Sequence, residues 1–321
     1  MQGDYQDQRL PVVLLTGATG QVGVFVVPRL LDAGYRVIAV SRKAGRGLAL
    51  KGGKAADGLH WVHPDDCLES LPGHIVAGLP TGLADVEVLL SCGPVRLAAR
   101  LLPRCARLRR VVCISTSSVF TKSDSADAAE RQVIGEISAA EAELKRLCQA
   151  RGITLALLRP TLIYGCGLDH NISRMAGLIR RFRFMPVAGK AVGLRQPVHA
   201  DDLATLALAI FQRHSMDSME TPVGGGSVVS YREMVERIFT GLGLTPRIVS
   251  MPPGLLALLA RAWSLLPGAG HLNAGFVRRQ NQDMVFDDAR LREQFDFNPR
   301  PFQPTAADFQ LPESARSFQR S

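Results

Sequence analysis

LLTGATGQVG, residues 14–23, decides the reading of this chain. An apolar run at 12–16 leads into glycines at 17, 20 and 23, and a helical pattern follows from 21 to 33. Gly17 permits a tight turn, Gly20 lets the backbone approach a pyrophosphate without a Cβ in the way, and Gly23 lets a helix pack closely on its strand. The helix N-terminus adds N–H groups and the positive end of a dipole. Gly34 closes the helix, and 35–40 reads as a second buried strand, which completes a βαβ unit of about 30 residues. The strand–turn–helix context turns a weak glycine triplet into a dinucleotide-binding signature.

Cofactor choice is read at the end of the second strand, where an Asp or Glu would bind a ribose 2′-hydroxyl. That place holds Ser41, Arg42 and Lys43. A hydroxyl and two cations suit a 2′-phosphate, which Arg can grip bidentately, so NADP(H) is favoured over NAD(H). The expected cofactor-binding set in these two turns is Gly17, Thr19, Gly20, Gln21, Val22, Gly23, Ser41, Arg42 and Lys43.

The first unit resembles the short-chain dehydrogenase/reductase superfamily in its extended, NAD-dependent epimerase/dehydratase branch, and further motifs carry the resemblance over residues 10–305. LHWVHPDD at 59–66 looks like a third strand ending in the acidic residue that faces the adenine, here Asp65 or Asp66. VEVLLSCG at 86–93 looks like the fourth strand, with Gly93-Pro94 as the small-residue loop beside the cofactor. RVVCISTSSVF at 110–120 is similar to the fifth, and the resemblance implies that Thr116 hydrogen-bonds the reacting oxygen of the substrate. ITLALLRPTLIYG at 153–165 matches the sixth strand, whose Arg159-Pro160 exit runs past the nicotinamide. QPVHADDLA at 196–204 opens a helix that Asp201 or Asp202 would cap, with His199 as a hydrogen-bonded packing histidine or, as the alternative, a residue that reaches the substrate. The closing stretch, 277–302, resembles that of nucleotide-sugar epimerase-like members.

One departure bears on chemistry. The family uses a Tyr and, four residues later, a Lys that lowers the Tyr pKa so that the phenol exchanges a proton with the substrate. This chain has no Tyr between Tyr35 and Tyr164 and no Lys between Lys122 and Lys145. In the helix expected at 135–150, taking Glu141 or Glu143 as the family's helix Glu puts the Tyr position at Val133 or Gly135. The Lys position then falls at Ile137 or Ala139. Two readings follow. In one, the chain is an oxidoreductase or epimerase whose proton moves through Glu136, Glu141, Glu143, Lys145 or water. In the other, it is a non-catalytic NADPH-binding regulator or an assembly or accessory subunit.

Alternating strands and helices imply an α/β fold, a doubly wound parallel sheet of Rossmann type with a smaller C-terminal substrate-facing lobe. The expected division is 1–165 for the dinucleotide domain and 166–321 for the lobe, with 196–222 returning to the sheet. The 321 residues are 46% hydrophobic, enough for a sizeable core. A net charge of +9 favours an anionic small-molecule substrate such as a nucleotide sugar. RRFRF at 180–184 reads as an amphipathic helix with Phe inward and Arg outward, and no nucleic-acid motif accompanies it. The apolar run at 254–267 is too short to span a bilayer and reads as a lobe helix, with weak membrane-surface docking through its leucines and Trp263 as the alternative. Six cysteines without CxxC spacing read as buried thiols of a cytoplasmic protein, with no metal site. The N-terminus is polar and carries no secretory signal pattern. A homo-oligomer is compatible with the resemblance.

Overall fold

Val12–Thr16 forms strand β1, and all five residues are buried, as a central parallel strand covered on both faces requires. The computed structural model describes residues 11–42, 58–69, 83–125, 127–213, 215–264 and 274–312. After β1 come helix α1 (Gly23–Asp32), β2 (Arg36–Val40), β3 (Leu59–Val62), α2 (Pro64–Glu69), β4 (Val86–Ser91), α3 (Val95–Leu101), β5 (Arg110–Ile114), α4 (Ser118–Thr121), α5 (Ala128–Ala150) and β6 (Thr154–Pro160). Gly34, at φ +80°, ends α1 by turning its N–H to the carbonyl of Leu31 at 2.8 Å.

The second half supplies β7 (Ile163–Tyr164), α6 (Ile172–Phe182), β8 (Met185–Ala188), β9 (Leu194–Arg195), β10 (Val198–His199), α7 (Ala200–Gln212) and β11 (Met219–Val223). It closes with β12 (Val229–Ser230), α8 (Tyr231–Gly241), β13 (Ile248–Met251), α9 (Pro253–Ser264), α10 (Ala274–Arg279) and α11 (Ala289–Phe295). The main sheet has seven strands in the order β11-β6-β5-β4-β1-β2-β3, every pair parallel. Strand order reverses between β1 and β4, and in such sheets ligands bind outside the carboxyl ends at that reversal.

Alternation along β1 divides the core. Val13 and Leu15 pack with α1 and α7 on one face, and Val12 and Leu14 pack with α3 and α5 on the other. A separate apolar cluster holds the C-terminal lobe together, built on Ile172 and Ile179 of α6, Ile238 and Phe239 of α8, and Phe302.

Several expected boundaries move. The third strand stops at Val62, and Asp65 and Asp66 lie in the first turn of α2. The fifth stops at Ile114, because the hydroxyl-rich stretch after it turns into α4. Helix α5 starts at Ala128, seven residues before the expected 135, because Asp127 caps it by accepting from the N–H groups of Ala129 and Glu130. Helix α7 is capped by His199, whose Nδ1 accepts from the Asp201 N–H, and not by Asp201 or Asp202. Phe182 and Phe184 are exposed, not turned inward: α6 ends at Phe182, and Arg183 at φ +62° reverses the chain. Lys43 lies outside the described residues.

Candidate cofactor cleft and substrate cavity

At the reversal the turns after β1 and β4 meet backbone to backbone. Gly17 has φ +71°, and a Cβ there would lie 2.5 Å from the Cys92 carbonyl and from the Gly93 nitrogen. A Cβ on Gly93 would lie 3.1 Å from Gly17 Cα, and one on Gly23 would lie 2.1 Å from the Gly17 oxygen. Hydrogen bonds lock the two strand ends: Thr16 Oγ1 donates to Ser91 Oγ at 3.0 Å, and Cys92 N–H donates to the Thr16 carbonyl at 2.9 Å. Burial pushes the Cys92 thiol well above the usual range, which makes it an inert part of this junction.

Three features of this turn fit a dinucleotide. Without a Cβ, Gly17 and Gly23 let the turn close directly on the backbone of Cys92, Gly93 and Ala18, the tight packing that a dinucleotide-binding turn uses. Helix α1 has no capping side chain and no acidic residue in its first turn, so its N-terminus is suited to an anion. The Gln21 Oε1 is buried without a hydrogen-bond partner. At the neighbouring edge Thr19 Oγ1 and Ser41 Oγ are 3.4 Å apart, and Arg42 is exposed at the end of β2. Asp65 is also exposed, its backbone N–H on His63 Nδ1 at 3.3 Å.

Beside the Gly93-Pro94 turn, a cavity of about 360 Å³ opens between the ends of β4 and β5 and one face of α5. Ser115, Thr116, Val133, Glu136 and Ile137 line it. Thr116 Oγ1 accepts from the Ser118 N–H at 3.1 Å, which leaves its own O–H to donate elsewhere.

The structure separates the candidate proton carriers of α5. Glu141 is buried and clasped by Arg159, through Nη2 at 2.6 Å and Nε at 3.1 Å, and Ser115 Oγ donates to it as well. Glu143 is held by Arg146 and Lys145 by Glu220, both on the exposed side. Glu136 alone of the four lines the cavity with Thr116, its Oε1 accepting from Gln132 Nε2 at 3.1 Å. Arg159 also reaches Glu220 at 2.8 Å and lies over the Phe120 ring, so its guanidinium is engaged in packing. Pro160, next to it, accepts from the Ser117 N–H at 2.9 Å.

A larger cavity, about 480 Å³, starts at Ser118 and Lys122 and runs into the lobe between α6, α9 and α10. At its wall Glu130 gathers Lys122 at 2.9 Å, Arg279 at 3.0 Å and Ser125 at 2.5 Å. Burial raises the carboxyl, but these bonds and charges outweigh it and bring Glu130 down to about 2. Sequence reading missed this cluster, because Glu130 and Arg279 are 149 residues apart and no local spacing announces their meeting. On the far side of the sheet, His199, Asp201 and Asp202 bring ligand-type atoms within 4.8 Å of one another. They are spent on protein partners: His199 on Asp308, Asp201 on Arg29 and Arg300, and Asp202 on Arg300.

Residues 13–69 match the model of the NAD dependent epimerase/dehydratase family. A curated relative, the uncharacterized protein y4nG of Sinorhizobium fredii, is 26% identical over 162 residues, 50% of this chain and 40% of that protein. The chain thus aligns with about two fifths of the length of this relative. Among solved structures, MoeE5 in complex with UDP-glucuronic acid and NAD superposes with a TM-score of 0.62 at 22% identity, over 95% of this chain and 98% of that one. The UDP-glucuronic acid 4-epimerase from Bacillus cereus, in complex with UDP-glucuronic acid and NAD, gives 0.63 at 16% identity, over 93% and 98%. At these identities the likeness speaks for the fold, and no helix among the described residues is long and apolar enough to cross a membrane. The glycine turn and the parallel strand order agree with both findings: residues 13–69 are similar to the NAD dependent epimerase/dehydratase family, and the chain shares the Rossmann-type fold of these solved structures.

Proposed function

We propose that the chain binds a nicotinamide dinucleotide, NADP(H) in preference to NAD(H), and acts as an epimerase, dehydratase or reductase-type oxidoreductase on a carbonyl or hydroxyl substrate. The observation that supports this reading is the backbone contact of Gly17 with Cys92 and Gly93, which brings the glycine turn beside the cavity lined by Thr116. Gly17, Gly20 and Gly23 with the α1 N-terminus would hold the pyrophosphate, Ser41 and Arg42 the 2′-phosphate, and Asp65 the adenine. When bound, the nicotinamide supplies a hydride donor or acceptor. Thr116 orients the reacting oxygen by donating a hydrogen bond to it, and Glu136 exchanges the accompanying proton directly or through water. Nucleotide sugars, found in complex with structural neighbours, are the first substrate class to test.

A second reading, a cofactor-binding regulator or accessory subunit without turnover, is favoured by one observation. The burial of Glu141 against Arg159 supports the alignment in which Val133 and Ile137 would stand at the Tyr and Lys positions of the family, and both line the cavity with Thr116. Two alkyl side chains there cannot move a proton. Calorimetric titration with NADPH and NADH, then absorbance of the reduced nicotinamide in the presence of UDP-glucuronic acid and simple ketones, separates the readings. Binding with substrate-dependent oxidation supports the enzyme, binding without turnover and without epimerised product supports the regulator, and failure to bind either cofactor rejects both.

A further inference from the structure

The larger cavity combines an apolar lining with charged groups that are mostly paired within the protein. Its walls are predominantly apolar, with Leu178, Phe182, Phe184, Met185, Leu259 and Phe276 among them. The charged groups that reach it are largely committed. Arg195 donates to the carbonyls of Leu194 and Gln282, both at 2.7 Å, and of Arg279 at 2.5 Å, and lies over the Tyr231 ring. Lys122 and Arg279 share Glu130. Gln280 and Tyr231 are also occupied, on Ala188 N–H and Met175 Sδ. A diphosphate needs several charge-assisted hydrogen bonds, and a nucleoside adds more polar atoms, each costly to bury unpaired. Ser118, His170, Asn171 and Arg174 complete the polar lining, the few groups that orient a mainly apolar ligand. At the mouth, Phe182, Phe184 and Leu259 are 38%, 45% and 47% exposed, an apolar rim continuous with the interior.

We propose that the reacting carbonyl or hydroxyl belongs to a predominantly apolar compound, of the aryl, alicyclic or acyl-chain class, bound in this cavity with its reactive end toward Ser118 and Thr116. The inference deepens the oxidoreductase reading and rests on it. Its test compares ligands by calorimetry on the full chain, with and without saturating NADPH: trans-cinnamaldehyde and 2-decanone against UDP-glucuronic acid. The apolar carbonyl compounds are expected to bind about tenfold more tightly or better. Leu178→Arg, on α6 inside the cavity, is expected to weaken them about tenfold without changing NADPH affinity. Phe184→Arg, at the exposed rim, is expected to weaken them in the same direction with no core position touched. Tighter binding of UDP-glucuronic acid, binding of neither class, or apolar binding that both variants leave intact overturns the inference. Loss of the oxidoreductase reading shows separately, in the cofactor titration and absorbance assay, as failure to bind either cofactor or as binding without turnover and without epimerised product.

Discussion

At the residue scale, three side-chain positions carry distinct expectations. Gly23 has no room for a methyl group, since its Cβ would lie 2.1 Å from the Gly17 oxygen. Gly23→Ala is therefore expected to displace the turn, to lower unfolding free energy by about 2 kcal/mol as overpacking does, and to reduce NADPH affinity, read by denaturation and calorimetry. Thr116 accepts from the Ser118 N–H and keeps a proton to donate. Thr116→Val should lower kcat/KM by about a hundredfold, the effect of removing one donor to a reacting oxygen. It should also cost about 1 kcal/mol of stability for the orphaned Ser118 N–H, so a purely structural role would show the second loss without the first. Arg42 stands exposed at the end of β2 beside Ser41. Arg42→Ala is expected to weaken NADPH about tenfold and leave NADH nearly unchanged, and equal losses for the two would rule out 2′-phosphate recognition.

At the scale of the element, α5 shows what a sequence does and does not disclose. Strands β1 and β2 and helix α1 were legible because apolar alternation and glycine spacing are local and dictate local geometry. The parallel, doubly wound sheet followed from the alternation of strands and helices, while its strand order comes from the structure. The start of α5 was less legible, since its cap Asp127 follows a Ser- and Asp-rich stretch with no apolar rhythm. Which glutamate of α5 faces the sheet was undecidable from spacing, because Glu141 and Glu143 sit two positions apart in a helix with mixed faces. The long-range partner Arg159 decides it. That ion pair is buried on both sides, 8% and 5% exposed, so Glu141→Ala should cost about 3 kcal/mol by leaving a buried guanidinium with only Glu220. The same alignment makes α5 a place to restore chemistry. Val133→Tyr combined with Ile137→Lys puts a phenol and an ammonium on the cavity face opposite Thr116. If those positions are the vacated acid/base pair, reduced-cofactor oxidation with a bound carbonyl substrate should rise in the double variant and in neither single one.

For the whole molecule, Glu130 makes one of the ion-paired links between helix α5 and the C-terminal segments. It projects from α5 and binds Lys122 from the loop after α4 and Arg279 from α10, so one carboxylate joins the sheet-side helix to the wall of the lobe. With its carboxyl lowered from 4.5 to about 2 in the folded chain, the sign of its contribution follows. The unfolded state takes up a proton there before the folded state does, so the stabilisation is complete above about pH 4.5 and is lost as pH falls toward 2. Asp201, Asp308 and Glu220 are also lowered, through Arg300 and Arg29, His199 and Thr305, and Lys145 and Arg159, all after a raising contribution from burial. Acid therefore weakens several links at once, and a profile of the unaltered chain alone cannot assign the loss. The difference between that chain and Glu130→Gln can, because the other carboxylates are common to both. Denaturant unfolding across the acid range should show Glu130→Gln less stable by about 2 kcal/mol near neutrality, the worth of a hydrogen-bonded charge, and the gap should close as pH drops below 4. A gap that stays constant with pH would mean that the Gln substitution acts through packing, and that Glu130 does not bind the two halves by its charge.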